Sequence, residues 1–366
     1  LSRVPESDFD AVRLAHEVTG LYGDPDVTWG ISLEAEFETP LDPVQITTRL
    51  QGLVAEYPHL GAVPRVERAD GEAWDTRREQ VASAELGTDG RLVHVLLDDA
   101  ATRVLITAHH GVCDGLGLVA LLSGVAGVPV VSSARGVGET PAPRSFLGSS
   151  LLRLLEAVFT PPARFSGAAP ELGAGSADHM RHVVLDDVRV NGALACHALL
   201  QAHGQWPRRR NSGGRRFMVI MGASRRQGSE LHPDRQTTFL RIRLRPHDTA
   251  EQVAAIVRTT DPEPDFPETS AGGIGPLVTK ALRSRLGYTV NVSNLGVLSG
   301  DGLLRATMFP ALSGPMALGV GLVTVRGRAS VSVRMRRTEH ADHEADRLMR
   351  DLADRLTHGV VKESSA

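Results

Sequence analysis

Between residues 132 and about 180 the chain loses its periodic pattern, and that interruption constrains what it can fold into. The stretches SSARGVGETPAPRS, TPPARFSGAAP and ELGAGSADHM are rich in Pro, Gly, Ser and Ala around one apolar helix, FLGSSLLRLLEAVF. Such composition marks a connection rather than a core. On either side, helix-period and strand-period segments alternate. Upstream, LDPVQITTRLQGLVAEYP reads as a helix, with Asp42 as cap and Pro43 at its first position. Ile46, Leu50, Leu53 and Val54 fall on one face of it. RLVHVLLDD and TRVLITAHH read as strands, and LGLVALLSGV as a helix. Downstream, RVNGALACHALLQAHGQW, TAEQVAAIVRTT (capped by Thr249), GPLVTKALRSRLG and HADHEADRLMRDLADRL read as helices. RRFMVIMGA, TTFLRIRLR and YTVNVSNLG read as strands, and MALGVGLVTVRGRASVSVRMRR as a hairpin turning near Arg326-Gly327. The expectation is an α/β chain: an N-terminal lobe over 1–131, a connection over 132–180 and a C-terminal lobe over 181–366.

Composition narrows the function classes. The 366 residues carry a net charge of −3, which gives no electrostatic case for nucleic acid. Of 40 basic residues only Lys280 and Lys362 are lysines. Two cysteines, Cys113 and Cys196, have no metal-ligand spacing and are too few for a disulfide framework. No apolar run reaches the length of a membrane helix, and the first residues lack a signal-peptide core. The expectation is a cytoplasmic, monomeric protein with no membrane or nucleic-acid partner.

The residues that carry chemistry lie in ITAHHGVCDGLGL, 106 to 118. By strand alternation Val104, Ile106, Ala108 and His110 share one face, and Arg103, Leu105, Thr107 and His109 the other. His110 thus extends an apolar row and is the candidate general base, while His109 points elsewhere. A neutral imidazole near pH 7 can take a proton from an alcohol or amine attacking a carbonyl. A hydrogen-bonded core histidine is the plain alternative. Adjacent strand histidines cannot readily ligate one metal, so none is expected. Asp114 can cap the following helix and can also pair with an arginine; Gly115 permits a tight turn or close approach of a ligand.

HHGVCDG, His109 to Gly115, resembles the HHxxxDG motif of the acyltransferase superfamily that includes chloramphenicol acetyltransferase and the nonribosomal peptide condensation domains. VNVSNLGVL and MGASRRQG resemble second-lobe segments of the same family. The resemblance implies two chloramphenicol-acetyltransferase-like lobes in a V-shaped pseudo-dimer with an interlobe tunnel. It implies a thioester donor, on coenzyme A or a carrier-protein phosphopantetheine, as co-substrate with no bound cofactor. It makes His110 the base, and His109, Asp114 and Gly115 structural motif residues. Asn294, on the strand face of Val290 and Val292, becomes a second catalytic candidate, with Ser293 facing the other way.

Two departures matter. Where condensation domains carry RHxxLR, this chain has EYPHLG, Glu56 to Gly61. Asp114 must then pair elsewhere, and Arg226, or its neighbour Arg225, is the match by segment. The five arginines of WPRRRNSGGRRF, 206 to 217, read as a solvated loop or as a docking patch for an acidic carrier protein or for coenzyme A phosphates. The function expected is a stand-alone acyltransferase moving an acyl group to an alcohol or amine in natural-product biosynthesis. Intramolecular cyclisation of an intermediate on the same fold is the alternative. A non-catalytic carrier-binding protein would not need the full motif.

Overall fold

In a computed structural model the protein is described over residues 10–22, 29–165, 177–207, 216–264, 287–312 and 318–363. The first half runs α1 (Ala11–Tyr22), β1 (Gly30–Phe37), α2 (Pro43–Glu56), β2 (Arg65–Arg68), α3 (Trp74–Ser83), β3 (Val93–Leu97), β4 (Arg103–His109), α4 (Gly115–Ala126), β5 (Val130–Ser132) and α5 (Phe146–Phe159). The second half runs β6 (His179–Leu185), α6 (Gly192–Gly204), β7 (Phe217–Ser224), β8 (Thr237–Leu244), α7 (Ala250–Thr259), β9 (Val290–Gly300), β10 (Leu303–Phe309), β11 (Leu318–Val325), β12 (Arg328–Met335) and α8 (Asp342–Glu363). The expected helix GPLVTKALRSRLG and most of the arginine-rich stretch lie outside the described residues.

The strands form two mixed sheets. The first has the order β10-β1-β4-β3-β2; the second is β6-β12-β11-β9-β7-β8, with β5 added on β9. Each half contributes one strand to the other's sheet. β10 pairs antiparallel with β1, Ala35 opposite Ala306, and β5 pairs antiparallel with the end of β9.

Local chemistry accounts for the helices. Asp42 accepts from the Val44 N–H at 2.9 Å and Pro43 opens α2. Thr249 and Gln252 make a reciprocal capping box on α7. In α8, Arg355 reaches Asp351 at 3.6 Å, but Asp346 is taken by Arg181 of β6 at 2.7 Å. A tertiary partner there takes the carboxylate that Arg350, four residues along the helix, would otherwise meet.

Two large apolar cores and two small clusters form among the described residues. Ile46 and Leu50 of α2 and Leu118, Leu121 and Leu122 of α4 pack on Val104, Ile106 and Ala108 of β4. Ala195 and Leu199 of α6 and Leu348 and Leu352 of α8 pack on Val290, Val292, Val320 and Val331. β9 crosses from one to the other: Val290 and Val292 belong to the second core, Leu295 and Leu298 to the first.

The sequence reading ended this strand at Gly296. Instead Gly296, at φ +68°, bulges the strand, the β9–β11 register slips there, and pairing continues to Gly300. A Cβ on Gly296 would lie 2.7 Å from the Ala134 nitrogen, so glycine also admits the chain leaving β5.

Buried charge bridges the halves. Arg334 of β12 donates to the carbonyls of Gly30 and Ala82 at 2.8 and 2.9 Å and pairs with Asp178. Glu79 of α3 accepts from Arg181 and Arg337. Removing one partner of such a group would leave a buried charge unpaired, which is strongly destabilising.

Candidate active site

β4 ends at His109, and His110 opens the turn into α4. The two imidazoles go to different places. His109 is buried, its Nδ1 accepts from the Gly111 N–H at 3.1 Å, and its ring lies 5.5 Å from His16 of α1. Burial, with His16 and His110 nearby, pushes its pKa down to about 4, so it is neutral at pH 7. Gly111 must be small: a Cβ would sit 2.6 Å from the Ala15 carbonyl oxygen.

His110 is half-buried. Its backbone N–H donates to the Trp29 carbonyl at 2.7 Å, and the Trp29 ring meets the imidazole edge-on at 4.9 Å between centroids. Its Nδ1 lies 2.9 Å from the Cys113 carbonyl. A carbonyl only accepts, so Nδ1 carries the proton and Nε2 the lone pair. Burial lowers the His110 pKa; the Cys113 carbonyl opposes this, Arg235 adds to it and Asp114 opposes it. The ring is therefore the neutral form at pH 7, ready to accept a proton.

It lines a cavity of about 90 Å3 between its loop and the second sheet. Cys113 itself is buried with its thiol pKa driven well above the ordinary value, first by burial and then by Asp114, which makes it inert as a nucleophile.

Asp114 caps α4 by accepting from the Gly117 N–H at 2.8 Å. One Arg226 nitrogen donates to both of its oxygens, at 2.8 and 2.7 Å. The Gln236 N–H and the Thr237 hydroxyl complete its shell at 2.8 and 2.5 Å. Burial would raise its pKa, but Arg226, Thr237 and Gly117 outweigh that and hold it below the usual carboxylate value. Arg226 also binds Asp234, while Arg225 turns away to the Gly138 and Thr140 carbonyls. Gly117 belongs to the same device: a Cβ there would lie 2.5 Å from the Asp234 oxygen. The segment 56–61 braces the loop that carries Asp234. Tyr57 Oη pairs with His232 Nδ1 at 3.0 Å, and His59 Nε2 donates to the Pro233 carbonyl at 2.9 Å.

Gly115 lines the cavity, and a Cβ on it would lie 2.8 Å from Leu295. For β9 the alternation count needs correcting. The face of Val290 and Val292 is packed into the second core, and the row turned to the cavity is Asn291 and Ser293. Ser293 Oγ stands 3.6 Å from where a Gly115 Cβ would be. Asn294 also lines the cavity beside the bulge, but its Oδ1 accepts from the Gly296 N–H at 2.9 Å. Only its Nδ2 remains to donate. Trp29, Asp234, Gln236 and Thr237 were not singled out by the sequence; the cluster HPDRQT before a strand was the available signal. Among the described residues no group of three or more His, Cys, Asp or Glu is placed to hold a metal, and no helix is long and apolar enough to cross a membrane.

This two-sheet α/β arrangement is a fold that solved structures share. The chain has the fold of the nonribosomal peptide condensation domains. The starter condensation domain of rhizomide synthetase, solved with C8-CoA and Leu-SNAC, aligns over 95% of this chain and 92% of its own, at 15% identity and TM-score 0.56. The first condensation domain of the calcium-dependent antibiotic synthetase aligns over 95% and 93%, at 14% identity and TM-score 0.57. The EpoB cyclization-docking bidomain from Sorangium cellulosum aligns over 93% and 83%, at 14% identity and TM-score 0.55. No family model and no curated protein matches the chain.

Proposed function

We propose that the protein is an acyltransferase that moves an acyl group from a thioester, on coenzyme A or a carrier protein, to an alcohol or amine in natural-product biosynthesis. The observation that carries this reading is the 2.9 Å contact of His110 Nδ1 with the Cys113 carbonyl, which assigns the tautomer. Nδ1–H is committed to the Cys113 carbonyl, so the Nε2 lone pair belongs to a ring lining the cavity between the halves. Nε2 takes the proton of the acceptor O–H or N–H as that atom attacks the thioester carbonyl. The resulting tetrahedral intermediate expels the thiolate, which regains the proton from the imidazolium. Asn294 Nδ2 and Ser293 Oγ are the donors available to the oxyanion. The Asp114–Arg226 pair acts at a distance, fixing the turn that presents the ring. The thioester itself is a substrate, and C8-CoA in the rhizomide domain is a precedent for one on this fold.

The test is incubation of the purified protein with acyl-coenzyme A thioesters and a panel of amines and alcohols, followed by mass spectrometry. Thiol release that depends on the acceptor, with an acylated product, supports transfer. Release without acceptor from a thioester carrying its own nucleophile, giving a ring-closed product, replaces transfer by cyclisation. No release from any thioester ends the reading.

A further inference from the structure

We infer that Arg135 forms a carboxylate subsite in the His110 cavity, so that one of the two reacting partners carries a free carboxylate. The inference rests on the acyl-transfer reading and adds a substrate class to it. Arg135 lines the cavity, is exposed, and has no hydrogen bond or ion pair among the described residues. The other charge in the lining behaves differently: Asp114 is fully satisfied by Arg226, Thr237, Gln236 and Gly117. The cavity therefore presents a cation that no described residue of the protein pairs with.

The segment that carries Arg135 is held rather than loose. Ser132 Oγ donates to the Leu295 carbonyl at 2.6 Å, the Ser133 N–H donates to the Val297 carbonyl at 2.9 Å, and the Val137 N–H donates to the Ser224 carbonyl at 2.9 Å. It thus crosses from β9 to β7 over the cavity. Two glycines make the crossing possible. A Cβ on Gly136 would strike the Ser224 carbonyl, and one on Gly296 would strike the Ala134 nitrogen. Arg135 sits between these two contact points. A guanidinium fixed at its base matches a planar carboxylate with paired N–H donors.

The phosphate of a pantetheine donor is a poor occupant. It lies at the far end of a long arm from the thioester carbonyl that His110 must reach, whereas Arg135 and His110 share one cavity of about 90 Å3. The carboxylate belongs to the reacting end, on the acyl group or on the acceptor.

Calorimetry on the full chain distinguishes the two sources. Glutaryl-coenzyme A against pentanoyl-coenzyme A tests the acyl group; L-leucine against L-leucinamide tests the acceptor. The expected result is at least about tenfold tighter binding of the carboxylate-bearing member of one pair, abolished in Arg135→Gln and partly kept in Arg135→Lys. Affinity for the member that lacks the carboxylate should change little in either variant. No preference in either pair, including no binding of any probe, overturns the inference, as does a preference that Arg135→Gln retains. A phosphate subsite is the other overturning result: an Arg135-dependent preference confined to pentanoyl-coenzyme A over pentanoyl-pantetheine. Because binding is read without turnover, a carboxylate preference in a protein that releases no thiol would keep the subsite and end the transfer reading.

Discussion

Arg226 and Asp114, 112 residues apart in the chain, meet through one guanidinium nitrogen that donates to both carboxylate oxygens. The arginine comes from the loop after β7 and the aspartate from the cap of α4, so the pair joins the two halves directly behind the His110 turn. Both side chains are almost fully buried. Arg226→Gln is expected to cost about 3–5 kcal/mol, because it leaves buried Asp114 without its counter-ion, and Asp114→Asn less, because Arg226 keeps Asp234. The double variant should cost clearly less than the sum, since the two share one interaction. Chemical denaturation of the four proteins measures this; single variants with wild-type stability would show that the pair holds nothing.

His109 makes stability depend on pH. Its folded pKa of about 4 lies below the ordinary value of 6.5, so between these values the unfolded chain binds the extra proton. Stability contributed by the neutral ring is present above pH 6.5 and is lost as pH falls toward 4. Between pH 7.5 and pH 5 the His109 contribution is about 2 kcal/mol. His109→Asn should reduce the pH dependence of unfolding by about that amount. The remainder belongs to other histidines whose pKa values burial also lowers, among them His94 and His182. An identical pH dependence in variant and wild type would contradict the assignment.

Gly117 and Gly52 give opposite expectations for the same substitution. Gly117→Ala puts a Cβ 2.5 Å from the Asp234 carbonyl oxygen and 2.7 Å from the Cys113 sulfur, and should cost about 1–3 kcal/mol. Gly52 lies inside α2 with nothing within 4 Å of a Cβ, so Gly52→Ala should stabilise by about 0.5–1 kcal/mol. Thermal unfolding of both variants reads the sign directly.

Ser293 and Asn294 are separable kinetically. If a side chain on β9 donates to the oxyanion, its removal should lower kcat about 10² to 10³-fold with little change in KM or Tm. Asn294→Ala should instead lower Tm if the side chain serves mainly the Gly296 N–H. The rate loss would then fall on Ser293→Ala. Steady-state kinetics beside melting curves decides between them.

What was legible in the sequence was what local pattern controls. Asp42, Pro43 and Thr249 marked helix starts because caps act over three or four residues. The row Val104, Ile106, Ala108 marked the core face of β4 because alternation is a property of one strand. What escaped depends on partners distant in sequence. β10 was not recognised, since its place is decided by β1, about 270 residues earlier. The cavity-facing row of β9 was misread because both faces of that strand are covered, one by the second core and the other by the first half, so polarity alone does not say which faces the site. The segment 232–237 carries no local signal of its distant partner, yet its backbone and side chains complete the Asp114 shell.

The most direct measurement of the central claim is acceptor-dependent thiol release from an acyl-coenzyme A thioester by His110→Ala beside the wild type, with Tm recorded for both. The account predicts a loss of about 10² to 10⁴ in rate with the fold retained, since the Nε2 base goes together with only two local contacts of the ring, to Trp29 and the Cys113 carbonyl. A well-folded His110→Ala protein that releases thiol at the wild-type rate would contradict it.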